Sequence, residues 1–215
     1  MSRNYRFDIT DPKVEDYLYR LLPPRGDILA RMEKDAADSG IPIVGPLVGQ
    51  FLYQIALVSG SRRILEIGMA IGYSTIWLAQ AAKWNKGTVT SIEIEPEMVD
   101  RARGNLREAK LNDTVRIIVG DALDVVEQLR SKFDLMFIDA DKTDYPRLLD
   151  TLSPLMRKGT ILLADNTLWS GAVATDDRSE TTTALRRFNE LVMTNPLLES
   201  VIVPIRDGVT FAVRR

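Results

Sequence analysis

The chain has 215 residues, 45% of them hydrophobic, which fits one folded domain with a full core rather than a disordered chain. Lys and Arg number 28 against 30 Asp and Glu and the pI is near 5.4, so no whole-protein basic field draws it to nucleic acid. Cysteine and histidine are both absent, which excludes disulfides, thiolate and imidazole metal sites and His-based nucleophile systems, and leaves proton chemistry to carboxylates, Lys, Tyr or water.

The segment Met1 to Asp8 lacks the apolar run of a signal peptide, and no later stretch approaches the roughly 18 apolar residues of a membrane span. A soluble, cytoplasmic protein with no membrane partner is therefore expected. Asp11-Pro12 starts a helix with Val14, Tyr17, Leu18, Leu21 and Leu22 on one face, stopped by Pro23-Pro24. Asp27 to Ser39 is a second helix, carrying Ile28, Leu29, Met32 and Ala36 before Gly40. A third runs from about Gly45 to Ser59. No strand pattern precedes them, so residues 1–60 read as a helical cap added to the sheet that follows, within a single domain spanning 1–215. Such a cap can cover an active site, build a dimer contact or do both, and periodicity does not choose.

From Arg63 onward strand and helix patterns alternate, the signature of a parallel sheet with right-handed crossovers. Strands are predicted at Arg63 to Ile67, Thr88 to Glu93, Val115 to Val119, Leu135 to Ile138 and Thr160 to Ala164. Helices are predicted at about Ser74 to Ala82, Pro96 to Ala109, Ala122 to Leu129, Tyr145 to Leu155 and Thr181 to Thr194. Leu198 to Pro204 and Val209 to Val213 flank Arg206-Asp207-Gly208, a turn too short for a crossover helix, so these last two strands pair antiparallel.

The chemistry-bearing residues fall where strands end. Open α/β sheets bind ligands beyond the carboxyl ends of their strands. After the first strand come Gly68 and Gly72, without the third glycine of a pyrophosphate-binding loop, so either a phosphate-free ligand lies against bare backbone or both are simple turn residues. Glu93 ends the second strand, placed to accept hydrogen bonds from a ribose or else to complement the helix that starts at Pro96. Asp121 after the third strand caps a helix and is also placed to meet an adenine amino group. Phe137-Ile-Asp139-Ala-Asp141-Lys142 and Leu163-Ala-Asp165-Asn166 repeat one grammar, an apolar strand ending in oxygen donors. Asp139, Asp165 and Asn166 at one rim suit a hard divalent cation with positions left for water or substrate; the alternative is a pair of solvated turns.

Taken together, Leu65-Glu-Ile-Gly68, Gly72-Tyr-Ser74, Glu93, Gly120-Asp-Ala122, Phe137 to Lys142 and Asp165-Asn-Thr-Leu-Trp-Ser-Gly171 resemble the metal-dependent, S-adenosylmethionine-dependent O-methyltransferases of the caffeoyl-CoA and catechol type. Gly49-Gln-Phe-Leu52 and Pro204 to Gly208 fit the same pattern, and the likeness covers about Ile43 to Arg214. The resemblance implies a doubly wound, mostly parallel seven-stranded α/β sheet of order 3-2-1-4-5-7-6 with the last strand antiparallel. By motif position it implies Glu66, Gly68, Tyr73 and Ser74 near the methionine part of the cofactor, Glu93 and Ile94 at its ribose, Asp121 and Ala122 at adenine, and Asp139 beside it. It implies a metal at Asp139, Asp165 and Asn166, magnesium first with manganese or calcium as alternatives, Lys142 as catalytic base or charge, and Trp169 walling the acceptor pocket. It also implies a homodimer and a phenolic small-molecule substrate.

Two features complicate the acceptor. Tyr17 to Arg25 and Ile41-Pro42-Ile43 resemble the family's tRNA-modifying branch, which acts on a hydroxylated uridine, and Arg20, Arg25, Arg31 and Lys34 could form a local phosphate-binding patch. Asp141 and Trp169-Ser170 resemble the small-molecule branch, although Ile43 stands where many of its members carry Met. Readings of other kinds are a non-catalytic nucleoside-binding module, opposed by the intact Asp139, Lys142, Asp165 and Asn166 set, and a NAD-dependent dehydrogenase, opposed by the missing glycine and histidine.

Overall fold

A computed structural model describes residues 9–215, so the reading of Met1 to Asp8 lies outside the described residues. Three helices come first, α1 (Pro12–Leu21), α2 (Asp27–Ser39) and α3 (Gly45–Val58). Then β1 (Arg63–Ile67), α4 (Tyr73–Trp84), β2 (Thr88–Glu93), α5 (Pro96–Glu108), β3 (Val115–Val119), α6 (Ala122–Gln128) and β4 (Leu135–Ile138) alternate. The chain closes with α7 (Tyr145–Leu152), β5 (Ile161–Ala164), α8 (Glu180–Thr194), β6 (Leu198–Val203) and β7 (Val209–Arg214). One seven-stranded sheet results, in the expected order β3-β2-β1-β4-β5-β7-β6, with β7 antiparallel to both its neighbours.

The elements follow their local signals to within a few residues. Pro12, Pro46, Pro96 and Pro146 sit in first helical turns, where the missing N–H costs no hydrogen bond. Asp11, Asp121 and Ser179 cap α1, α6 and α8 by accepting backbone N–H groups. The helix expected from Tyr145 to Leu155 ends at Leu152, because Pro154 cannot continue it and Ser153–Leu155 tightens into a 3₁₀ turn. The strand β5 starts at Ile161 instead of Thr160, whose hydroxyl donates to the Phe133 carbonyl.

Both faces of the sheet are buried, and strand alternation sorts the core. Ile64, Leu135, Phe137, Ile161 and Leu163 face a cluster shared with α2, α3 and α4, while Leu65, Ile67, Met136, Ile138 and Leu162 face α6, α7 and α8. The cap is thus part of the main core through Leu29, Met32, Val48, Leu52 and Ala56. The exception is α1, which has no buried residue and leaves Val14, Tyr17, Leu18 and Leu21 exposed. Close contact of α3 with α4 depends on Gly49, where an added methyl would lie 2.3 Å from Nε1 of the buried Trp77.

The ladder brings the strand ends level. Ile67 pairs with Ile138 and Ile138 with Ala164, so the next residues, Gly68, Asp139 and Asp165, leave the sheet side by side. Their amides extend the ladder: Gly68 N–H to Ile92 at 3.0 Å, Asp139 N–H to Ile67 at 2.8 Å and Asp165 N–H to Ile138 at 3.0 Å. Here Gly68 is required, since φ is +87° and a Cβ would fall 1.9 Å from the Asp139 carbonyl oxygen.

Gly49→Ala is expected to destabilise the protein by about 1–3 kcal/mol through overpacking against Trp77. Gly104→Ala, in α5 with nothing within 4 Å of the new methyl, should stabilise by about 0.5–1 kcal/mol. Urea unfolding of the two variants beside the wild type measures both signs.

Candidate functional site

The strand ends open into a cavity of about 770 Å³, within the range of small-molecule sites. Its floor is the β1–α4 loop at Gly68, Met69 and Ala70, and its sides are Glu93 and Ile94, Gly120 to Ala122, Asp139 to Lys142, Asp165, Asn166 and Trp169. The cap closes it with Glu33, Ala36 and Ala37 of α2 and with Ile41 to Val44, while Arg206 enters from the β6–β7 turn.

At one end lie the oxygen donors. Asp165 is 2% exposed, and its Oδ1 is buried without any hydrogen-bond partner. Burial, and then the neighbouring charge of Asp139, push the Asp165 carboxyl above the usual range, with Lys142 and Arg206 opposing. Asn166 follows in a left-handed conformation with φ of +59°, which turns the chain out of the sheet. Lys142 donates from Nζ to Asp139 Oδ1 at 2.7 Å and to the Tyr145 hydroxyl at 3.0 Å. Burial disfavours its charged form, but Tyr145 and Asp139 beside it hold the ammonium above the ordinary lysine range. Lys142 as it stands is therefore a proton holder paired with Asp139.

Two carboxylates and one amide therefore share a wall with a single ammonium. Among the described residues no three His, Cys, Asp or Glu side chains gather as a metal cluster. The oxygen-only set of Asp139, Asp165 and Asn166 nevertheless fits a hard cation, because the orphaned Asp165 oxygen needs a positive partner and the amide adds a neutral donor.

At the other end the expected cofactor residues other than Glu66 also line the cavity, and the polar side chains among them are already engaged locally. Glu93 accepts from the amides of Met69 at 3.1 Å and Ala70 at 2.7 Å through Oε2, and from Glu95 at 2.9 Å through Oε1. It thereby holds the glycine loop, including Ala70 at φ of +45°. Asp121 uses Oδ1 for its helix cap, accepting from Leu123 at 2.9 Å. The Tyr73 hydroxyl donates to Glu33 Oε1 at 2.7 Å, and Glu33 is itself held by Arg25 at 2.7 and 2.8 Å. Ile94 and Ala122 sit on the rim.

Glu66 differs from its expected place. It does not line the cavity but lies one layer beneath, 0% exposed, accepting from Ser74 Oγ at 2.6 Å, Thr75 Oγ1 at 2.6 Å and Ser91 Oγ at 2.5 Å. Burial pushes its carboxyl up to about 7 against the lowering effect of the three hydroxyls. Sequence reasoning also missed Tyr145, whose fully buried hydroxyl accepts from Lys142 and donates to the Asp165 carbonyl at 3.0 Å. Its only sequence signal is an aromatic three residues after a strand-end lysine. Glu33 and Arg206 were missed as wall residues because they arrive from opposite ends of the chain.

A carboxyl raised in the folded state binds its proton more tightly there than when unfolded, so its contribution weakens stability as pH rises from about 4.5 to 7. Glu66→Gln should remove part of that decline, by up to about 1.4 kcal/mol per pH unit inside the window. Urea unfolding of both proteins at pH 5, 6 and 7 measures it, and parallel curves would contradict the assignment.

Comparison with known proteins finds that a family described as O-methyltransferase matches residues 27–215. A catechol O-methyltransferase of Niastella koreensis is 33% identical over 212 residues, covering 93% of this chain and 96% of that protein. An O-methyltransferase from Bacillus cereus, solved in complex with SAH, superposes with a TM-score of 0.84 at 32% identity over 94% of this chain and 97% of its own. The O-methyltransferase TomG from Streptomyces achromogenes, involved in tomaymycin synthesis and solved with SAM, gives 0.84 at 30% identity over 100% and 99%.

Proposed function

The chain belongs to the O-methyltransferase family, and on that premise we propose that it transfers the methyl group of S-adenosylmethionine to one hydroxyl of a catechol-type small molecule with help from a divalent cation. The observation that carries this reading is the orphaned, buried Oδ1 of Asp165, beside Asp139 in the cavity that the glycine loop floors. The solved relatives that carry SAM or SAH support the cofactor, and the Niastella koreensis relative supports the acceptor class.

Each residue has a physical task. Gly68, at a turn where a Cβ would strike the Asp139 carbonyl, brings bare backbone to the floor, so a nucleoside thioether can lie against it. Glu93 and Asp121 present carboxylate oxygens along the wall where ribose hydroxyls and an adenine amino group would donate. Asp139, Asp165 and Asn166 would hold the cation, magnesium first and manganese or calcium otherwise, which supplies stabilisation of the phenolate form of adjacent hydroxyls. Lys142 holds a proton at Nζ next to Asp139 and sets a positive charge where acceptor oxygen becomes anionic. Tyr145 fixes that lysine from below, with its ring centroid 5.1 Å from Nζ. Trp169 and Ile41 to Val44 exclude water and limit the acceptor to something flat and small.

The pairing of the N-terminal cations favours a small acceptor over a nucleic acid. Arg25 is bound to Glu33, Arg31 to Asp35 and Glu108, and Lys34 to Asp38, so three of the four expected cations already face carboxylates, while Arg20 makes no ion pair among the described residues. A phosphate backbone would have to displace those carboxylates.

Lys142→Ala should lower kcat about 10²- to 10⁴-fold with cofactor affinity nearly unchanged, as read by methyl-transfer kinetics and by titration with S-adenosylhomocysteine. Asp139→Ala or Asp165→Ala should abolish metal-stimulated transfer. Assays with catechol, caffeic acid and hypomodified tRNA, with and without magnesium, test the whole reading. Full turnover in excess chelator would remove the cation from it, and transfer to tRNA alone would move the acceptor.

A further inference from the structure

The cavity wall carries seven acidic residues, Glu33, Glu93, Asp121, Asp139, Asp141, Asp144 and Asp165, but only two cationic ones, Lys142 and Arg206. Lys142 is paired with Asp139. Arg206 makes no ion pair among the described residues, so it is the wall's one cation without a carboxylate partner there.

Its existing hydrogen bonds use one nitrogen. Arg206 Nη1 donates to the Ile43 carbonyl at 3.1 Å and to the Val44 carbonyl, two neutral acceptors on the cap. Nε and Nη2 have no recorded acceptor among the described residues, which leaves the edge of the guanidinium that takes a carboxylate as a two-pronged fork. The backbone around it is fixed. Arg206 itself sits at φ of +49°, Asp207 accepts from the Ser170 amide, and a methyl at Gly208 would lie 2.4 Å from Leu168. The side chain is thus pinned between the cap and the segment that carries Trp169, and its ordering cost is met before any ligand arrives.

We infer that Arg206 is a specificity-determining residue that selects acceptors in which the dihydroxy aromatic ring also carries a carboxylate. This rests on the acceptor class proposed above and narrows it. The acids on the wall disfavour such a group along much of it and Lys142 is already paired with Asp139, so pairing at Arg206 orients the ring with its hydroxyls toward Asp139 and Asp165. A ligand carboxylate accepts from Nε and Nη2 while the two cap carbonyls keep Nη1.

The test compares 3,4-dihydroxybenzoate with catechol as acceptors for the wild type, Arg206→Gln and Arg206→Lys. Gln retains N–H donors for the cap carbonyls without charge, and Lys retains charge without the fork. The wild type should prefer the acid, and in Arg206→Gln the ratio of kcat/KM for acid over catechol should fall about 10- to 100-fold, chiefly through KM, with partial recovery in Arg206→Lys. An equal loss on both acceptors, or no wild-type preference for the acid, would mean that Arg206 only pins the cap and would overturn the inference. If the wild type methylates neither acceptor, the catechol reading fails separately. Calorimetric titration of the two compounds then still decides the role of Arg206: weaker binding of the acid alone in Arg206→Gln supports it, and unchanged binding refutes it.

Discussion

Asp165 is buried next to a second acid, Asp139, whose carboxylate holds the one nearby ammonium, and one Asp165 oxygen is left without a donor. Uncompensated charge in a low-dielectric site is costly, and natural proteins tolerate it where a ligand completes the balance. Much of the surrounding architecture serves to keep that imbalance in place. The level ends of β1, β4 and β5 fix the backbone of both acids through ladder amides, so neither carboxylate can relax away by shifting its strand. Tyr145 anchors Lys142 to the same strand ends through the Ile138 and Asp165 carbonyls, so the lysine cannot swing across to neutralise Asp165 without giving up a buried hydroxyl.

The strands and the rim were legible in the sequence because both depend on local, periodic signals, whereas the strand order was implied by the family resemblance. Continuous apolar runs such as Leu135 to Ile138 identify doubly buried parallel strands, and in such a sheet the next residue is at the ligand-binding edge by topology alone. Asp139, Asp165, Glu93 and Asp121 could be placed that way before any coordinates. What local pattern could not supply was depth. Glu66 and Glu93 are both acids of neighbouring parallel strands, yet Glu66 stands two residues before its glycine and points into the layer beneath, whereas Glu93 ends its strand and reaches the loop. A shift of one or two residues along a strand converts a wall residue into a core residue, and motif matching does not resolve it.

The cap was legible as helical, while covering the site stayed one of two open roles for it. That information is held in contacts of long sequence separation: Glu33 with Tyr73, Arg31 with Asn105, and Arg206 with the Ile43 and Val44 carbonyls. None leaves a trace in periodicity, since each is a single polar atom meeting another element's backbone or side chain. Ion pairs likewise set Arg25, Arg31 and Lys34 of the expected basic patch against carboxylates, and leave Arg20 without one among the described residues. Only α1 remains without a buried face, and its amphipathic pattern is satisfied by nothing in the described chain.

The buried Glu66 shows how the active rim is held from below. A carboxyl at zero exposure with three hydroxyl donors ties β1 to β2 through Ser91 and to the first turn of α4 through Ser74 and Thr75. That network sits directly under the loop Gly68 to Gly72, whose left-handed residues cannot be stabilised by packing side chains of their own. Glu93 clamps the same loop from above by taking the Met69 and Ala70 amides. The glycine loop is therefore held in two ways, by burial of its Met69 and Ile71 side chains and by Glu93, which takes two of its amides. A floor of bare backbone that stays in place is what a nucleoside laid against it requires, and here the Glu93 hydrogen bonds fix two of its amides while the Met69 and Ile71 side chains anchor it in the core.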